Sequence, residues 1–74
     1  MELGRHHKTL LKLIKKEPRY VQGKMYDVAM ELIEAGYATG KAGVDFVYTI
    51  RAAYPEEKKF VWPLQITEAG DAAI

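Results

Sequence analysis

The stretch from Lys24 to Tyr37, K-M-Y-D-V-A-M-E-L-I-E-A-G-Y, constrains the fold more than any other part of the chain. Met25, Val28, Ala29, Leu32, Ile33 and Ala35 recur at steps of three and four residues and share one broad side of a helix, while Asp27, Glu31 and Glu34 share the other. Such a helix must lay its apolar side on something else. Gly36 is placed to take the left-handed conformation that ends a helix without steric cost, and Tyr37 just beyond it is expected to fold back onto the last turn. A chain of 74 residues has room for a single domain (1–74) and one modest core, so the segments on either side of this helix must both pack against it.

Upstream, from Leu3 to Glu17, the residues Leu3, Leu10, Leu11, Leu13 and Ile14 fall on one side of a second helix, with His7 among them and His6 at the margin. Arg5, Lys8, Lys12, Lys15 and Lys16 gather in a narrow arc on the opposite side. Pro18 stops this helix, because the residue before a proline is held out of the helical region, and Arg19 to Gln22 read as a connector ending at Gly23.

Downstream, Thr39-Gly40-Lys41-Ala42-Gly43 reads as a glycine-bracketed loop. Val44 to Tyr54 then alternates, with Val44, Phe46, Tyr48 and Ile50 on one face against Asp45, Thr49 and Arg51, and Val47 as the exception. Pro55 to Lys59 is a charged turn. Phe60 to Ile66 alternates again, with Phe60, Trp62, Leu64 and Ile66 on one face and Val61, Pro63 and Gln65 on the other. The two runs predict an antiparallel hairpin. Pro63 cannot donate a ladder hydrogen bond, which places its strand at an edge or puts a bulge there. Thr67 is a natural helix cap, and Glu68 to Ile74 can close as a short helix despite Gly70. The expected class is α+β: two helices on a long antiparallel hairpin, with a short C-terminal helix.

Two segments resemble a winged-helix domain. Leu32-Ile33-Glu34-Ala35-Gly36-Tyr37 is similar to the exit from a winged-helix recognition helix into the first wing strand. Leu64 to Ala73 is similar to the L-x-[LI]-T-x-x-G join between the second wing strand and the last helix, through Leu64, Ile66, Thr67 and Gly70. The resemblance covers the C-terminal two thirds of the chain. Only Pro18 to Gly23 separates the first two helices, too few residues for the support helix of a helix-turn-helix. The likeness is therefore to a reduced winged helix, as in small bacterial or phage-borne proteins. It implies a nucleic-acid-binding or transcription-associated role, with Gln22, Lys24, Tyr26 and Asp27 at the start of the reading helix and Lys58 and Lys59 at the wing.

The residues themselves limit the chemistry. There is no Cys and no Ser, and Thr9, Thr39, Thr49 and Thr67 have no paired base in view, so nucleophilic catalysis has little to work with. Glu56-Glu57 sits beside two lysines, a poor setting for a raised carboxylate pKa. Gly40-Lys41-Ala42-Gly43 lacks the frame of a phosphate loop. His6 and His7 are adjacent and point about 100° apart on a helix, whereas a metal pair needs a spacing of three or four. The expectation is a non-enzymatic protein without cofactor or metal. No apolar run approaches the roughly 18 residues of a membrane span, so the expected setting is cytoplasmic and away from membranes.

A formal charge of +1 makes no overall case for a polyanionic partner; the placement of charge must make it. The arc of Arg5, Lys8, Lys12, Lys15 and Lys16 suits the phosphate backbone of duplex nucleic acid, and its alternative is a solvated helix face. Lys24, Lys58 and Lys59 would add phosphate contacts, with Gln22 and Tyr26 alongside. The competing expectation is a protein-interaction module. In it the acidic residues Asp27, Glu31 and Glu34, or Tyr54, Phe60 and Val61 on the hairpin, meet another protein or a second copy, with a homodimer formed through the hairpin edge.

Overall fold

The computed structural model describes residues 2–48 and 55–74. In chain order the elements are α1 (Arg5–Lys16), β1 (Arg19–Gln22), α2 (Lys24–Glu34), β2 (Ala38–Val47), β3 (Glu56–Ile66) and α3 (Glu68–Ala72). The class is α+β, as expected. The sheet has three strands rather than two, all antiparallel, in the order β1-β3-β2.

The third strand is the segment read as a connector. Pro18 holds Glu17 extended, at φ −164° and ψ 155°, so the chain leaves α1 already in strand conformation. Val21 then drops into the core at 5% exposure, and β1 pairs with β3 through Arg19 opposite Leu64 and Val21 opposite Val61. With β1 on one side and β2 on the other, β3 is the central strand.

Two expected loops are also strand. Residues 39–43 belong to β2, and their glycines serve close approach rather than a turn: a Cβ at Gly43 would meet the Phe60 ring, and one at Gly40 would meet Val61 and the Pro63 carbonyl. The expected charged turn belongs to β3 from Glu56 onward, where Glu56, Glu57, Lys58 and Lys59 pair with Val47, Phe46, Asp45 and Val44. β2 ends at Val47, short of the expected Tyr54; residues 49–54 lie outside the described residues.

The facing of β3 changes partway along it. Both ladders shift register near its Trp62-Pro63 pair: Thr39 is opposite Gln65 but Lys41 is opposite Trp62, and Arg19 is opposite Leu64 but Val21 is opposite Val61. In both cases the extra residue is on β3. Pro63 therefore sits at a bulge in the middle of the sheet, where its missing N–H leaves no gap in a regular ladder. Side chains alternate with period 2, so one extra residue exchanges the two faces. As a result Val61 and Leu64 are both fully buried while Trp62 is 50% exposed. The expectation that Phe60, Trp62, Leu64 and Ile66 share a face is corrected by this bulge.

The core lies between the helices and one face of the sheet: Leu10, Leu11 and Ile14 from α1, Ala29 and Leu32 from α2, and Val21, Ala38, Val61 and Leu64 from the strands. Met25, Val28 and Ile33 pack at its margin, as the periodicity of α2 requires. Ala35, expected inside, is exposed because it is already the cap residue at the rim. Gly36 has φ 84°, its N–H donates to the Ile33 carbonyl, and the Tyr37 N–H donates to the Leu32 carbonyl at 2.9 Å. This double closure ends α2 and aims the chain into β2. The molecule measures 46 × 20 × 18 Å, and the far end of the hairpin carries exposed Val44, Phe46 and Val47. Among the described residues no helix is long and apolar enough to cross a membrane.

Candidate functional site

Arg5, Lys8, Lys12, Lys15 and Lys16 are all exposed on α1, because the opposite side of the helix is taken by Leu10, Leu11 and Ile14. Lys15 is held elsewhere: its Nζ lies 2.9 Å from Asp71 Oδ1, tying α1 to α3. Among the described residues Arg5, Lys8, Lys12 and Lys16 make no ion pair with a carboxylate. Four cations thus stand uncompensated along one side of a 12-residue helix.

The acidic residues of α2 are differently engaged. Asp27, Glu31 and Glu34 are exposed as expected, but Glu31 Oε2 accepts from His7 Nε2 at 2.6 Å. His7 Nδ1 in turn accepts the Gly4 N–H at 3.0 Å. The two bonds together assign His7 as the neutral imidazole with its proton on Nε2. The side chain satisfies an orphan N–H at the start of α1 and joins that helix to α2. His6 is exposed and takes no part.

Tyr26, Lys58 and Lys59, which are far apart in sequence, come together. With Gly23, Asp27 and Glu57 they line a shallow groove of about 390 Å³ between the start of α2 and the hairpin. Lys58 is also 3.1 Å from Glu56, so both signs of charge are present. Gln22 and Lys24 are exposed on either side of Gly23, where β1 passes into α2.

Two hairpin residues do not stand where the protein-interaction expectation put them. Val61 is fully buried in the core and cannot meet a partner. Phe60 is half-buried, with its ring over Gly43 and stacked on Tyr20 at 5.3 Å and 18°. Tyr54 lies outside the described residues.

The sheet face turned away from the helices holds a cluster that the sequence reading missed. Tyr20 from β1 lies over Phe60, leans towards Trp62 at 6.5 Å, and donates from its hydroxyl to Asp45 Oδ2 of β2 at 3.0 Å, crossing the middle strand. Desolvation, then the hydrogen bond and the charge of Asp45, hold the Tyr20 phenol above its ordinary value of 10.0. The available signal was the R-Y-V-Q alternation of residues 19–22, which reads as a short strand once the pair Tyr20 and Val21 is weighed by strand propensity.

Comparison with protein-family models, with curated proteins and with solved structures finds no match to this chain.

Proposed function

We propose that the chain is a non-enzymatic, transcription-associated protein that binds duplex nucleic acid in the manner of a reduced winged helix. The observation that carries this reading is the row of Arg5, Lys8, Lys12 and Lys16, exposed and without carboxylate partners among the described residues. Cations in such a row gain from displacing condensed counterions, a sequence-independent source of affinity. The groove holding Tyr26, Lys58 and Lys59 adds a second contact region, in which Asp27 and Glu57 disfavour close phosphate approach and leave the lysines as the contacting groups. The winged-helix part of the reading is supported by the hairpin that follows α2 through Gly36 and by the Thr67 join into α3.

The test is fluorescence anisotropy with a labelled mixed-sequence duplex over a range of salt. Four phosphate contacts give log K falling against log salt with a slope of about −3 to −4. Lys12→Glu with Lys16→Glu should weaken binding at low salt by at least about tenfold. Absence of binding at low salt, or binding indifferent to salt, refutes the reading.

A second reading, a protein-interaction module, is favoured by one observation: Val44, Phe46, Val47 and Tyr48 are all exposed, Tyr48 by 79%, at the end of the hairpin away from the core. Exposed apolar side chains gathered at the end of a hairpin suit contact with another protein.

A further inference from the structure

The strand that carries Val44, Phe46 and Val47 has one side that no strand pairs with among the described residues. This strand, β2, runs for 10 residues at the edge of the sheet and is paired on its other side to β3. The sequence places Pro63's strand at an edge or puts a bulge there; the bulge is what is found, and that strand is central. β2 bears few of the usual defences of an exposed edge: it has no proline and no bulge of its own, and of its residues only Lys41 and Asp45 are charged.

We infer that β2 pairs antiparallel with β2 of a second copy, about a two-fold axis through Gly43. The sequence of the strand is complementary to itself in this register alone. Lys41 then stands opposite Asp45 of the second copy, and Asp45 opposite its Lys41, giving two opposite-charge pairs on the face away from the helices. Among the described residues neither side chain makes an ion pair within its own chain. Centring the axis on Lys41 or on Asp45 would set like charges face to face, and centring on Ala42 or Val44 would leave both charges opposite uncharged residues. On the other face the same register sets large against small: Val44 meets Ala42 and Phe46 meets Gly40 of the second copy, while Val47 meets Thr39 on the charged face. Val44, Phe46 and Val47 thus each find space across the axis. The interface is isologous, as a closed two-fold dimer requires, and it joins two three-stranded sheets into one of six.

This rests on the second reading and commits it to one partner. Sedimentation of the full chain over a concentration series, without nucleic acid, reads it directly. The expected result is a species of twice the 8.4 kDa chain mass that dissociates on dilution. Lys41→Asp and Asp45→Lys should each weaken association by about tenfold or more, because each turns both cross-axis pairs into like charges. Mixed in equal amounts, the two variants should associate as a heterodimer, since both cross-axis pairs then set a carboxylate of the first variant against an ammonium of the second. The double variant carrying both changes should self-associate like the parent, which guards against a single variant that misfolds. A chain that stays monomeric throughout, or variants that associate unchanged, or a mixture and a double variant that both stay monomeric, each overturns the pairing. A different protein bound at the hairpin would survive the first of these results, so the second reading and the pairing fail separately.

Discussion

The hydroxyl of Thr67 donates a 2.7 Å hydrogen bond to the carbonyl of Gly36, tying the entry of α3 to the exit of α2. The same oxygen accepts the Gly70 N–H at 3.1 Å, and the Thr67 N–H donates to the Tyr37 carbonyl. The two segments that carry the winged-helix resemblance therefore touch each other, and each supplies what the other lacks. Gly36 and Tyr37 offer carbonyls left over at a helix end, and Thr67 fills them.

Thr67→Val keeps the shape and removes both hydroxyl bonds. The loss of a helix cap together with an interelement hydrogen bond should cost about 1–3 kcal/mol in urea denaturation, and Thr67→Ser should retain most of it. Gly70→Ala should cost a similar amount, because its Cβ would collide with the Tyr37 carbonyl, which is backbone and cannot swing aside.

Neighbours on β3 should respond oppositely to the same change. Val61 is fully buried and Trp62 is 50% exposed. Val61→Lys should abolish cooperative thermal unfolding, since an unpaired ammonium in the core costs several kcal/mol. Trp62→Lys should stay within about 1 kcal/mol of the parent.

The Tyr20 phenol is held above 10.0 in the folded chain, so folding favours its protonated form. The contribution of the Tyr20 to Asp45 bond is complete below the unfolded value and is lost as pH rises through the folded value. A spectrophotometric titration of the parent minus that of Tyr20→Phe should therefore show a step displaced to alkaline pH, and Asp45→Ala should move that step back down by removing both the acceptor and its charge.

Within the basic arc of α1 the lysines should differ in their effect on nucleic-acid binding. Lys15 is already occupied by Asp71, whereas Lys12 makes no ion pair among the described residues. Lys12→Gln should weaken duplex affinity by about three- to tenfold at low salt, and Lys15→Gln by less than about twofold. Asp71→Asn should tighten binding by freeing Lys15 and removing a negative charge, measured by the same anisotropy titration.

Much of the fold was legible because it depends on period and punctuation. The apolar steps of α1 and α2, the stop at Pro18, the left-handed Gly36 and the cap at Thr67 are local signals that the structure repeats. β1 was hidden because four residues are too few to show a period and their strand state depends on a ladder with β3, some 40 positions away in the chain. The glycines of residues 39–43 read as a loop because glycine for a turn and glycine for close approach look alike until the Phe60 ring lies across Gly43. For the candidate site, exposure of the lysines followed from the helical wheel, but the engagement of Lys15 and Glu31 did not. Their partners, Asp71 and His7, belong to other elements, and no spacing rule brings them together.

The surplus residue near Trp62 and Pro63 lets Val61 and Leu64, an odd number of positions apart, both reach the core, and it is the one place in β3 where the chain holds a residue to spare. Excising Pro63 would leave Val61 and Leu64 two positions apart and still facing inward on an unbroken ladder, so a single codon deletion there should leave the same side of the sheet in water. Homologous chains that keep this architecture should therefore be free to differ by one residue at that kink.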